Sequence, residues 1–154
     1  MPKLFVVRHA DAGHRSAWPG SDRERPLSER GWRQANGLCE ALADGSPTRL
    51  LASPYTRCVQ TLEPLGTQLG IPVEPDDRLA EGAGPRGALE LADELAQAPA
   101  VLCSHGDVIP DLLEALLHDG LKLRDELRWQ KASTWVLTRD GGRLAKGRYL
   151  PPPA

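Results

Sequence analysis

Three short, uninterrupted apolar runs constrain the fold of this chain more than any other feature of its sequence. They cover residues 4–7, 50–52 and 100–103, and their aliphatic composition is typical of strands that are buried on both faces. Apolar residues at helical spacing follow the runs. This alternation predicts an α/β fold, namely a three-layer α/β/α sandwich with a mostly parallel central sheet. The length fits one domain, so we interpret residues 1–154 as a single unit.

Capping residues indicate where the first two helices begin and end. Ser28 has the residue type of an N-cap and precedes a helical pattern of apolar residues. Ser53 and Pro54 form an N-cap followed by proline at the first helical position, which predicts the start of a second helix. Gly70 should end that helix, and Pro64 should kink or break it. The remaining pattern predicts strands at 71–74, 134–138 and 144–149, and helices at 88–96 and after residue 107.

The net charge and composition of the chain indicate which kinds of binding partner it is not expected to have. The net charge of −2 provides no general attraction to nucleic acid or to an anionic membrane, so we expect neither as a partner. No apolar stretch has membrane-spanning length, and the first one is too short for a signal peptide. The three cysteines lack a CxxC spacing and are expected to be buried free thiols in a reducing compartment. We therefore predict a cytoplasmic protein without a cofactor; no feature indicates an oligomeric state.

Chemically active side chains follow directly after the three apolar runs. Arg8 and His9 follow the first run, Arg57 lies shortly after the second, and His105 follows the third. In open α/β sheets, ligands bind at the carboxyl ends of the strands. Guanidinium groups match phosphate oxygens, and helix N-termini add partial positive charge. Each residue alone could be an ordinary strand-end, turn or solvated helix residue, but their combination predicts a phosphate site.

Such a site has the parts that phosphoryl transfer requires. Charge spreads over the equatorial oxygens in the transition state, so fixed cationic donors are the main catalytic resource. A neutral imidazole can attack phosphorus, and surrounding arginines help to keep it unprotonated. The sequence contains no convincing cluster of metal ligands, and we predict no metal.

Four segments together resemble the histidine phosphatase superfamily, which is related to phosphoglycerate mutases. They are Arg8-His9-Ala10, residues 53–61 (SPYTRCVQT), residues 104–107 (SHGD) and residues 26–31 (PLSERG). The resemblance spans nearly the whole chain and implies a phosphoglycerate mutase-like fold. It also implies a phosphatase that works through a covalent phosphohistidine. By the resemblance His9 is the nucleophile, while Arg8, Arg57 and His105 hold the transferring phosphoryl group.

The resemblance leaves two candidates for the proton donor. In the family, the acid usually lies in the loop between the middle motif and the second histidine, and Glu81 occupies that place. Another branch uses an aspartate just after the second histidine, which makes Asp107 the rival. Glu81 could also be a solvated loop residue, and Asp107 could be a helix cap. We assign the acid to Glu81.

Differences from the common motif of the superfamily indicate which of its branches this chain resembles most. Many members have glycine at the position of Ala10, and the alanine of this chain is more like the short SixA-type phosphohistidine phosphatases. Ala12 and Arg15 stand where mutases often have a threonine and an asparagine. The chain also lacks room for the mutase insertion. Residues 25–27 and 133–137 are similar to the phosphatase module of some actinobacterial MutT-type proteins. The expected substrate is therefore a phosphorylated small molecule, a nucleotide or a phosphoprotein.

The polar loop at 10–26 carries further candidate substrate-binding residues. Arg15 and Arg25 could bind an anionic substrate at the entrance, together with His14, Arg23 and Lys131. The alternative is a solvated mobile loop. Two other functions stay open: a catalytically inactive phosphate-binding module and, disfavoured by the missing insertion, a phosphomutase.

Overall fold

Four helices and seven strands build residues 2–153, the part of the chain that the computed structural model describes. The helices are α1 (Glu29–Ala43), α2 (Thr56–Leu69), α3 (Pro85–Glu94) and α4 (Val108–His118). The strands are β1 (Lys3–Arg8), β2 (Arg49–Ala52), β3 (Val73–Pro75), β4 (Ala100–Ser104), β5 (Lys122–Leu123), β6 (Thr134–Asp140) and β7 (Arg143–Leu150). Single 3-10 turns lie at Arg15–Ala17, Asp22–Glu24 and Asp77–Leu79.

All seven strands join one sheet in the order β3-β2-β4-β1-β6-β7-β5. Strands β3, β2, β4 and β1 are parallel, and β6 runs antiparallel to β1 and β7. Apolar residues of α1 and α2 pack on one face of the sheet, and those of α3 and α4 pack on the other. The predicted three-layer sandwich with a mostly parallel sheet is therefore confirmed. The three cysteines are buried and free, as expected.

Strand register brings the polar segments of the sequence to one edge of the sheet. Arg8 at the end of β1 pairs with Ser104 of β4, and Ala52 at the end of β2 pairs with Cys103. The segments that follow these strands therefore leave the sheet side by side. This edge carries the candidate site.

Three local predictions have different outcomes. Ser28 caps α1, because its Oγ accepts a hydrogen bond from Gly31 N at 3.0 Å. The predicted N-cap role of Ser53 is wrong: α2 begins at Thr56, and the Ser53 hydroxyl lies instead against His105. A break at Pro64 is also wrong, since α2 runs uninterrupted from Thr56 to Leu69. No helix within residues 2–153 is long and apolar enough to cross a membrane.

Candidate functional site

A cavity of about 390 Å³ opens at the carboxyl edge of the parallel strands. It brings together every residue that the sequence predicts for catalysis and substrate binding except Arg23. Its wall is formed by Arg8, His9, Gly13, His14, Arg15, Arg25, Arg57, Glu81, His105, Gly106, Asp107 and Lys131. Cations outnumber acids in this wall, which suits an anionic ligand.

His9 is buried and held in one tautomer. Its Nδ1 lies 2.8 Å from Ala10 O, and because a carbonyl oxygen only accepts, Nδ1 carries the hydrogen. Burial and the charges of Arg57, His105 and Arg8 together lower the pKa of His9 to about 3, although the hydrogen bond to Ala10 acts in the opposite direction. The ring is therefore neutral at physiological pH, and Nε2 has a free lone pair.

Arg57 lies beneath the cavity with only 2% of its surface exposed. Its Nη1 donates to Asp22 O at 2.9 Å, and its Nη2 lies 3.2 Å from Asp22 Oδ2 and 3.5 Å from Glu81 Oε2. The backbone of the same turn is tied to the loop of the nucleophile, since Thr61 Oγ1 donates to Arg57 O and accepts from Ala10 N. The guanidinium and the His9 loop thus form one rigid unit.

Asp22 is a site residue that sequence reasoning missed. Its carboxylate contacts three arginines: Arg25 at 3.0 Å, Arg15 at 3.1 Å and Arg57 at 3.2 Å. Burial disfavours its charged form, but the hydrogen bond from Arg25 and the charges of Arg57 and Arg15 outweigh that effect and lower its pKa. Asp22 therefore anchors the 10–26 loop to the arginines. In the sequence, only the spacing of three residues between Asp22 and Arg25 indicated that Asp22 contacts an arginine.

Arg8 packs tightly against the backbone of the second histidine motif. Its Nη1 donates to Trp129 O at 3.0 Å, and a Cβ placed on Gly106 would lie 2.8 Å from Arg8 Cζ. Burial and the nearby charge of Arg57 lower the pKa of Arg8. Two guanidinium groups are thus held close together, which is unfavourable without an anion between them.

His105 is oriented by the residue that sequence reasoning assigned to a helix cap. Ser53 Oγ lies 2.7 Å from His105 Nε2 and also accepts from Tyr55 N at 3.3 Å. The ring is 2% exposed, and its Nδ1 has no hydrogen-bond partner among the described residues. The ring centroid of His105 lies 5.5 Å from that of His9.

The two candidate acids differ in their contacts. Glu81 Oε1 lies 3.0 Å from Arg15 Nη2, and Glu81 Oε2 lies 3.5 Å from Arg57 Nη2. Asp107 occupies the N-cap position of α4, but its side chain makes no capping bond; Asp107 Oδ2 accepts instead from Gly82 N at 2.8 Å. Asp107 thereby holds the loop that carries Glu81.

The remaining cations are placed differently around the entrance. Arg25 is only 8% exposed and donates to two carbonyl oxygens of its own loop, so the solvated alternative is wrong for it. The side chain of Arg15 is 62% exposed at the cavity rim, where His14 and Lys131 also lie. Arg23 does not line the cavity. Among residues 2–153, no group of three or more His, Cys, Asp or Glu side chains is arranged to hold a metal ion.

Comparison with known proteins identifies the family. The model of the histidine phosphatase superfamily (branch 1) matches residues 4–86. The chain is also 39% identical, over 156 residues, to an 8-oxo-(d)GTP phosphatase of Mycolicibacterium smegmatis. The chain belongs to the histidine phosphatase superfamily. The resemblance inferred from its motifs is therefore confirmed.

Solved structures show that this chain shares the fold of two proteins of similar length. The protein histidine phosphatase SixA complexed with tungstate has a TM-score of 0.76 at 23% identity, over 99% of this chain and 96% of that structure. A mycobacterial glucosyl-3-phosphoglycerate phosphatase with VO3 has a TM-score of 0.75 at 20% identity, over the full length of both chains. The M. smegmatis relative is longer: the alignment covers 97% of this chain and 48% of the relative.

Proposed function

We propose that this histidine phosphatase hydrolyses a phosphomonoester or a phosphohistidine, without a metal ion, through a covalent phosphohistidine on His9. The observation that supports this most strongly is the state of His9. Its ring is neutral, its Nδ1 hydrogen is bound by Ala10 O, and its Nε2 lone pair is free in a cavity lined by arginines. A neutral, oriented imidazole is the form that can attack phosphorus.

In the first step, His9 Nε2 forms a bond to phosphorus while the bond from phosphorus to the leaving oxygen breaks. Arg8 and Arg57 bind the equatorial oxygens, and their mutual repulsion is relieved when the dianion enters. We assign Ser53 Oγ as the donor to His105 Nε2, the tautomer that places a hydrogen on the unpaired Nδ1, where it can bind a phosphoryl oxygen. The leaving oxygen takes its proton from the carboxylic acid form of Glu81.

In the second step, water attacks the phosphohistidine. The Glu81 carboxylate takes a proton from that water as its oxygen bonds to phosphorus, and the bond from phosphorus to Nε2 breaks. Inorganic phosphate leaves, and neutral His9 and protonated Glu81 are restored. In the free protein Arg15 and Arg57 contact Glu81, so a phosphoryl group bound to Arg57 competes with Glu81 for that guanidinium.

The names of the relatives support two substrate classes. The M. smegmatis protein is named for a nucleotide, and the SixA structure is that of a protein histidine phosphatase. A phosphorylated metabolite is the third class. An inactive phosphate-binding module is the rival function, and the convergence of His9, Arg8, Arg57, His105 and a carboxylate in one cavity argues against it.

Trapping the intermediate tests the proposal. We expect the protein to incorporate a radiolabelled phosphoryl group from an aryl phosphate when turnover is quenched by alkaline denaturation. A phosphoramidate bond survives alkali and is lost in acid, so the label should be stable in the first and released in the second. A binding module, in contrast, would carry no label after denaturation, and that result would overturn the proposal.

A leaving-group comparison tests the assignment of the acid. We expect Glu81→Gln to lower kcat/KM for an alkyl phosphate by about 100-fold or more, and for a nitrophenyl phosphate by about 10-fold or less. A nitrophenolate departs without a proton, so it depends little on the acid. Asp107→Asn, the matched control, should affect both substrates equally, because Asp107 acts by holding Gly82. Selective loss of the alkyl phosphate in Asp107→Asn instead would assign the acid to Asp107.

A further inference from the structure

A second and larger cavity adjoins the candidate active site. Its volume is about 610 Å³, and it lies between the first half of α1 and the segment that ends in Pro152 and Pro153. The two cavities share Arg8 and Lys131 in their walls. Pro153 is packed closely on α1, since a Cβ on Gly37 would lie 2.5 Å from Pro153 Cβ. The second cavity is therefore a formed feature beside the first.

The charge of this second cavity is strongly positive. Arg30 and Arg33 line it, are exposed, and form no ion pair with any carboxylate of residues 2–153. Asp11 is the acidic residue of its wall, and its Oδ2 accepts from Ser28 Oγ at 2.6 Å. Asp11 Oδ1 is 3.7 Å from Lys131 Nζ, a loose contact. The wall of this cavity therefore contains one carboxylate and four cationic side chains, including that of Arg8.

The position of the two exposed arginines is unfavourable in the free protein. Arg30 and Arg33 lie in the first two turns of α1, where the helix dipole disfavours cations. They are also three residues apart, so their like charges face each other on one side of the helix. Glu29 in the same turn forms no ion pair with either within the described part of the chain. An anion bound between them would relieve both effects.

We propose that this basic cavity is a second phosphate subsite. It binds a phosphate group of the substrate other than the one that reacts at His9, so the substrate class is a small molecule with at least two phosphates, such as a nucleoside di- or triphosphate. The cavity has the size of a small-ligand pocket and adjoins the first at Lys131. A compact pocket of this kind suits a small molecule better than an extended peptide. The inference rests on the proposed function and extends it, because the reacting phosphate of such a nucleotide is held by an anhydride bond instead of an ester bond.

Charge reversal in the second cavity tests the subsite. We expect R30E/R33E to lower kcat/KM for GTP by about 10- to 100-fold, mainly through KM, while kcat/KM for nitrophenyl phosphate changes by less than about threefold. The variant should fold, because a carboxylate in the first turn of a helix interacts favourably with the dipole. K146E/R148E is the matched control: it makes the same change in net charge at two exposed positions of β7 that line neither cavity, and it should hydrolyse GTP like the wild type.

A binding measurement separates the subsite from the proposed chemistry. Calorimetric titration of H9A and of H9A/R30E/R33E with inorganic tripolyphosphate needs no turnover. We expect the charge reversal to weaken tripolyphosphate binding by about 10-fold or more and to leave orthophosphate binding within about threefold. Equal loss for both ligands, or no loss for either, overturns the subsite whether or not the protein is a phosphatase. Selective loss of a phosphohistidine peptide in R30E/R33E, with GTP unchanged, would assign the cavity to a protein substrate and also overturn it.

Discussion

Replacing His9 with alanine is expected to lower kcat for nitrophenyl phosphate by about four orders of magnitude or more, because it removes the atom that bonds to phosphorus. The loss should appear in kcat at saturating substrate, measured by release of nitrophenolate. The variant should also take up no radiolabelled phosphoryl group. The cavity wall otherwise remains intact, so inorganic phosphate should still bind to Arg8 and Arg57.

The control for this prediction is His118→Ala. His118 is an exposed histidine at the end of α4, outside the cavity, and its removal should leave kcat within about twofold of the wild type. Retention of more than about 1% of kcat in His9→Ala would show that another group forms the bond to phosphorus.

The second large effect is expected at Arg57. Arg57→Lys should lower kcat/KM by about 1,000-fold, even though the positive charge is kept. Both terminal nitrogens of the planar guanidinium donate to Asp22, and Nη2 also lies 3.5 Å from Glu81 Oε2; a single ammonium cannot reproduce that geometry. Circular dichroism should show the native helix content, which separates lost chemistry from lost folding.

Arg23→Lys provides a matched comparison for Arg57. Both guanidinium groups lie over the ring of Tyr55, at 5.0 Å for Arg57 and 5.4 Å for Arg23, but only Arg57 lines the cavity. Arg23→Lys should therefore leave kcat/KM nearly unchanged. If Arg57→Lys keeps kcat/KM within about 10-fold of the wild type, the planar fork is not required and Arg57 acts only as a charge.

The sequence was sufficient to predict the architecture and most of the residues that line the cavity. Apolar runs mark the buried strands, and the residues directly after them share an edge because parallel strands end on the same side. Arg8, His9, Arg57 and His105 could be found for this reason. The roles of these residues stay predictions until the variants are measured.

The sequence did not reveal how the site residues are held. Ser53 has the pattern of a helix cap, yet its hydroxyl binds a histidine that lies far away in the chain, and nothing local distinguishes the two. Asp22 contacts three arginines only because its loop folds over α2. Asp107 reaches Gly82 from the following strand end. Such contacts depend on loop paths, which local patterns do not determine.

The close approach of Arg8 to Gly106 has a consequence for how such sites evolve. A side chain at position 106 would force the Arg8 guanidinium to shift, so we expect the two positions to change together during divergence. A relative with a larger residue after its second histidine must direct its arginine along another path, or lose it. Covariation between these two positions would therefore report the geometry of the phosphate clamp, even in relatives whose structures have not been solved.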